Sequence, residues 1–162
     1  MSRTTTILSM FVAALVVTAT IALPGAVAGT NKSANQLTGT WTATAVRPAP
    51  LPPVTSLQMY SPRGVFVESG NDALTRSPQY GVWERIGGRS YAATGVFHRF
   101  NAQGDYIGSQ KISRTIELAP DGETFKAVAR VTVLDAGGNT LASFLVRGTA
   151  ARMHVERIPE QP

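Results

Sequence analysis

The chain has 162 residues, 15 % charged and 43 % apolar, with a formal charge of +5. This fits one globular domain and excludes a disordered chain. No cysteine is present, so disulfide scaffolds, thiolate metal sites, cysteine nucleophiles and acylation at cysteine are ruled out. The basic residues are scattered singly without a run, and no nucleic-acid partner is expected.

Residues 1–28 read as a targeting segment. Arg3 provides a positive start, Ile7 to Leu23 is apolar apart from Ser9, Thr18 and Thr20, and Pro24-Gly25 leads into Ala26-Val27-Ala28. That small-x-small end is the pattern cut by signal peptidase. Cleavage after Ala28 predicts a secreted or periplasmic protein without stable membrane insertion, and takes the charge from +5 to +4. A polar leader over 29–36 follows, then a β-domain over 37–157 and a polar tail over 158–162.

Within the domain, short β-rich runs alternate with turn signals, most with period two and none with a helical period. The predicted strands are β1 (Gly39–Val46), β2 (Thr55–Tyr60), β3 (Val65–Ser69) and β4 (Gln79–Ile86). They continue with β5 (Ser90–Phe100), β6 (Asp105–Leu118), β7 (Glu123–Leu134) and β8 (Thr140–Val155). The connections Ser61-Pro62-Arg63-Gly64, Gly87-Gly88, Asn101 to Gly104, Pro120-Asp121-Gly122 and Gly137-Gly138 are tight turns. Consecutive hairpins dictate an up-and-down order, and eight such strands close into a single antiparallel β-barrel. The two longest connections, Arg47–Val54 and Gly70–Pro78, fall at the same end. That end is the expected mouth, and the tight-turn end the closed base.

Turn geometry couples the faces of neighbouring strands. It pairs Met59 with Phe66, Leu57 with Glu68, Trp83 with Ala92 and Phe100 with Tyr106. The expected inner face then holds Glu68, Trp83, His98, Phe100, Ile112, Arg114, Ile116 and Leu118. It continues through Phe125, Ala127, Ala129, Val131 and Val133, and through Ala142, Phe144, Val146, Gly148, Ala150 and Arg152. Lys111, Glu117, Lys126 and Arg130 fall outside, which does not suit an outer-membrane barrel. The hairpin between β6 and β7 connects these faces only with a bulge.

Gly39-Thr40-Trp41 on β1 and Arg152 at the far end of β8 both lie at the predicted base. This resembles the calycin superfamily of lipocalins, fatty-acid-binding proteins and avidins. There a Gly-x-Trp on the first strand is covered by a basic residue from the last, and cation–π packing explains the pairing. The resemblance gives Trp41 and Arg152 a structural role. The architecture is also similar to the allene oxide cyclase barrel, whose enzymes hold a flexible apolar substrate in a reactive shape.

Two histidines, His98 and His154, are too few for most zinc or iron sites, and no phosphate loop, dinucleotide fingerprint or nucleophile elbow is present. Neither metal nor cofactor is expected. The leading expectation is a binder of a small, mostly apolar molecule. Trp83, Phe100, Tyr106 and Phe144 would line the cavity, and Arg114 would pair with a ligand carboxylate. The alternative is a cofactor-independent cyclase or isomerase using Glu68 or His98 as acid or base. The third reading is a barrel solidly filled by side chains, with a structural or interaction role. A homo-oligomer is compatible with all three.

Overall fold

The computed structural model describes residues 36–158. The expected targeting segment, the leader up to residue 35 and the tail from residue 159 lie outside the described residues. The strands are β1 Gly39–Val46, β2 Val54–Tyr60, β3 Val65–Gly70 and β4 Gln79–Gly87, followed by β5 Ser90–Phe100, β6 Tyr106–Leu118, β7 Thr124–Leu134 and β8 Thr140–Arg152. They form one closed barrel in chain order, every neighbouring pair antiparallel, with β1 pairing β8 to complete the ring. No described residue is helical.

The expected inner face holds on β6, β7 and most of β8. Arg114, Ile116, Leu118, Phe125, Ala129, Val131, Val146 and Ala150 are buried, whereas Lys111, Glu117, Lys126 and Arg130 are exposed. Ala142 departs from the expectation and is exposed. The β6–β7 hairpin needs no bulge: Leu118 opposes Phe125, and the Ala119 N–H donates to the Thr124 carbonyl.

Two strands have the opposite face inward to the one expected. On β2 the inner residues are Ser56, Gln58 and Tyr60, leaving Leu57 and Met59 exposed. Tyr60, not Met59, opposes Phe66. The cause is Gly64, whose φ of 78° places it in the left-handed region. The Ser61 N–H reaches the Val65 carbonyl, so the loop has three residues, a turn plus a left-handed glycine, rather than two. On β5 the inner residues are Tyr91, Ala93, Gly95 and Phe97. A bulge between Arg85 and Gly87 inserts Ile86, so Trp83 opposes Ala93 rather than Ala92. His98 therefore points outward, against expectation, and its ring packs edge-on against Tyr106 at 5.4 Å. Phe100 does oppose Tyr106, and a second bulge just beyond it returns β6 to its expected phase.

The base is plugged. Trp41, Tyr60, Phe66, Trp83, Tyr91, Ile116, Leu118 and Phe125 form one buried cluster with Leu37. Phe66 lies over the Gly81–Gly95 pair, where an added Cβ would stand 2.3 Å and 2.7 Å from its ring. The two glycines thus make room for one aromatic ring. Arg152 spans Trp41 at 4.2 Å from the ring centroid. It also donates to the carbonyls of Gly122 and Thr38, both at 2.8 Å, and to that of Gln36. A Cβ on Gly39 would come within 2.7 Å of the Arg152 guanidinium, so the glycine of the Gly-x-Trp run leaves space for that cation. The closed barrel and this latch are consistent with a calycin-like fold.

Candidate functional site

Above the plug the interior turns polar. Ser56 and Gln58 on β2, Glu68 on β3, Gln79 on β4 and Arg114 on β6 are all buried. The Tyr60 hydroxyl donates to Gln58 Oε1 (2.9 Å), and Gln58 Nε2 donates to Glu68 Oε2 (3.2 Å). Arg114 Nη2 donates to Glu68 Oε2 at 2.9 Å and to Gln79 Oε1 at 2.7 Å. Burial opposes the charge of Arg114, but the Glu68 carboxylate and the Tyr60 hydroxyl outweigh it, so its pKa lies above the ordinary guanidinium value. Burial also pushes the Tyr60 hydroxyl up to about 12, chiefly by desolvation.

A second guanidinium enters from the mouth. The connection between β3 and β4 folds back onto the end of β5, where the Ser77 N–H donates to the His98 carbonyl and the Phe100 N–H to the Thr75 carbonyl, both at 2.9 Å. This docking drives Arg76 into the barrel, where it is buried. Its Nε donates to Asp72 Oδ1 at 2.6 Å, its guanidinium lies 4.6 Å from the Phe97 ring centroid, and Nη2 stands 3.5 Å from Glu68 Oε1. Gly70 leaves room for it, since a Cβ there would fall 1.8 Å from Nη2.

The Glu68–Arg76 pair separates two spaces. Below it, a cavity of about 70 Å³ touches Ser56, Gln58, Glu68 and Arg114 on one side and Ile112, Phe125, Ala127, Ala129 and Val146 on the other. That volume holds about two waters. Above it, an open cup of about 430 Å³ is lined by Leu51, Phe97, Phe100, Ile107, Val133 and Phe144, with Arg47, Arg76, Arg99 and Asp72 as its charges. Three guanidiniums thus face one carboxylate, and that carboxylate is committed to Arg76. Among the described residues, Gln79 Nε2 and Arg114 Nε are buried without a hydrogen-bond acceptor, and Arg76 Nη2 has the ion-pair contact with Glu68 Oε1 at 3.5 Å but no hydrogen bond.

The structure brings together only part of the expected site. Phe100 and Phe144 line the cup, and Arg114 and Glu68 lie beneath it. Trp83 belongs to the basal plug, its Nε1 donating to the Ser61 carbonyl at 3.0 Å. Tyr106 is exposed at the rim against Phe100 and His98. Sequence reasoning missed Arg76, Phe97, Gln79 and the Arg47–Arg99 pair of cations. Phe97 was hidden by the β4 bulge. Arg76 sits in a connection whose inward fold no local pattern announces. The Glu68 and Arg114 side chains were expected inside, and both are.

No protein-family model matches the chain, and no curated protein matches its sequence. The functional reading therefore rests on the geometry.

Proposed function

We propose that the protein is an exported small-molecule-binding barrel that holds a mostly apolar, carboxylate-bearing ligand in its mouth. The observation that carries this is the cup itself: an aromatic and aliphatic wall facing three guanidiniums and one already-paired carboxylate. An apolar ligand body would cover Phe97, Phe100 and Phe144. Its carboxylate would accept from Arg76, whose guanidinium lines the cup, with Arg47 and Arg99 adding attraction from the rim. Export is supported by the sequence of residues 1–28.

The packed base favours the mouth over a deep lumen as the ligand's place, because the interior below Arg76 holds side chains and little free space. The cyclase or isomerase reading draws no support from the geometry. Glu68 is ion-paired with two guanidiniums and His98 is on the outside, so these two residues form no acid–base pair.

The test uses decanoate and decanol in calorimetric titration and thermal shift. Decanoate should raise the melting temperature by mass action, and bind about tenfold or more tighter than decanol, as expected when a charged hydrogen bond is lost. Arg76→Met should abolish that preference, and Phe144→Ala should weaken both ligands. Equal affinities for the two, or no binding of either, would overturn the proposal.

A further inference from the structure

The outer surface of the barrel is divided into two unlike halves. On β6 to β8 the outward positions carry Lys111, Glu117, Lys126, Arg130 and Arg147, all exposed, and these charges interrupt the exposed Val128 and Leu145. On β2 to β5 the exposed strand positions from Leu57 to Val96 carry only two formal charges of opposite sign, Glu84 and Arg85, both near the base. Strand register makes the apolar ones contiguous. Met59 opposes Val67, Val67 opposes Tyr80 and Tyr80 opposes Val96, giving one row across four strands. Val65 opposes Val82 in the neighbouring row. The Gly64 loop and the Ile86 bulge set these two faces, so the pattern follows from the fold's register.

We infer that this β2–β5 face is the interface of a homodimer. Leu57, Met59, Val65, Tyr80, Val82 and Val96 each keep between 41 % and 63 % of their surface exposed. For side chains of this size that is roughly 500–600 Å² in one patch, the upper end of what a monomer leaves uncovered. A standard interface buries about 800 Å² per partner, so the patch supplies the apolar centre and the threonines Thr40, Thr42 and Thr94 around it supply a polar rim. The occupant is a second copy because the face is nearly uncharged, self-compatible and of the area a dimer's apolar centre needs. Two copies of a net basic protein repel elsewhere, and this part of the β surface lets them meet without a run of like charges opposed. A bilayer is a poorer match, since a membrane-spanning barrel needs its apolar belt all round and the charges on β6 to β8 break it.

The experiment is sedimentation velocity on the protein purified from a host expressing the full chain, over a wide concentration range, with the monomer mass fixed by denaturing mass spectrometry. The expected species has twice the monomer mass. Tyr80→Glu and Val82→Glu should each weaken dimerisation about a hundredfold or more, because a charge buried in an apolar contact has no partner. Val128→Glu, on the other half, should leave it unchanged. Circular dichroism and melting separate dissociation from misfolding, and Met59→Thr, milder in charge, should weaken the dimer with the fold intact. A monomer throughout the range, a higher oligomer insensitive to Tyr80 and Val82, or a monomer that binds neutral vesicles through this face would each overturn the inference.

Discussion

Glu68 offers the sharpest perturbation. Replacing it by Gln keeps its shape but leaves Arg114 and Arg76, both buried, without their shared anion. At contacts of 2.9 Å and 3.5 Å, an effective dielectric of about 20 gives each pair roughly 5 kcal/mol of attraction. Relief of the carboxylate's own desolvation returns several kcal/mol, so the net loss should be about 3–5 kcal/mol. For a domain of this size that lowers Tm by roughly 10–20 °C. Urea unfolding at neutral pH measures it. Glu68→Gln combined with Arg114→Met should recover at least about 2 kcal/mol relative to additivity, because the orphaned cation is removed with its partner. A loss below about 1 kcal/mol, or strict additivity in the double variant, would show that the buried ion pair does not hold the barrel's middle together.

Tyr60 should make the protein alkali-sensitive. Its hydroxyl titrates near 10 when unfolded and at about 12 when folded, so the folded state retains the proton longer and stability falls as pH rises through that interval. The slope integrates to roughly 3 kcal/mol, and Tyr60→Phe should remove most of it in urea titrations from pH 9 to pH 12. Arg152→Met should cost about 2–4 kcal/mol by orphaning three carbonyls and baring Trp41, read as a lower denaturation midpoint and red-shifted tryptophan emission. Gly95→Ala should cost about 1–3 kcal/mol, since its Cβ would meet Phe66 at 2.7 Å and Gln79 at 2.9 Å. A neutral result in chemical denaturation would mean that the ring is free to move.

The barrel was legible because its turns are written in glycine and its strands alternate. Along β6, β7 and β8 beyond Ala142 the inner face followed directly, with Lys126 and Arg130 outside as the pattern demanded. Facing failed on β2 and β5 for a shared reason. One extra residue in a turn or bulge reverses a strand, and whether a glycine closes a two-residue loop or adds a third depends on the strands it joins. The bulge at Ile86 turned β5 over, and the one beside Phe100 turned the chain back. The misreading therefore stayed local, and Arg114 was placed correctly. Arg76 was invisible for a different reason: its inward course is set by backbone pairing between a loop and β5, and such pairing carries no side-chain signature.

The pairing of β1 with β8 makes closure of the barrel wait for β8. Until β8 is available, β1 and β7 are both raw edges, and a growing chain is an open sheet able to recruit foreign strands. Arg152, the last residue of β8, then closes the seam and covers Trp41 in the same move. A chain cut short of that residue would lose the bolt as well as a fragment of β8.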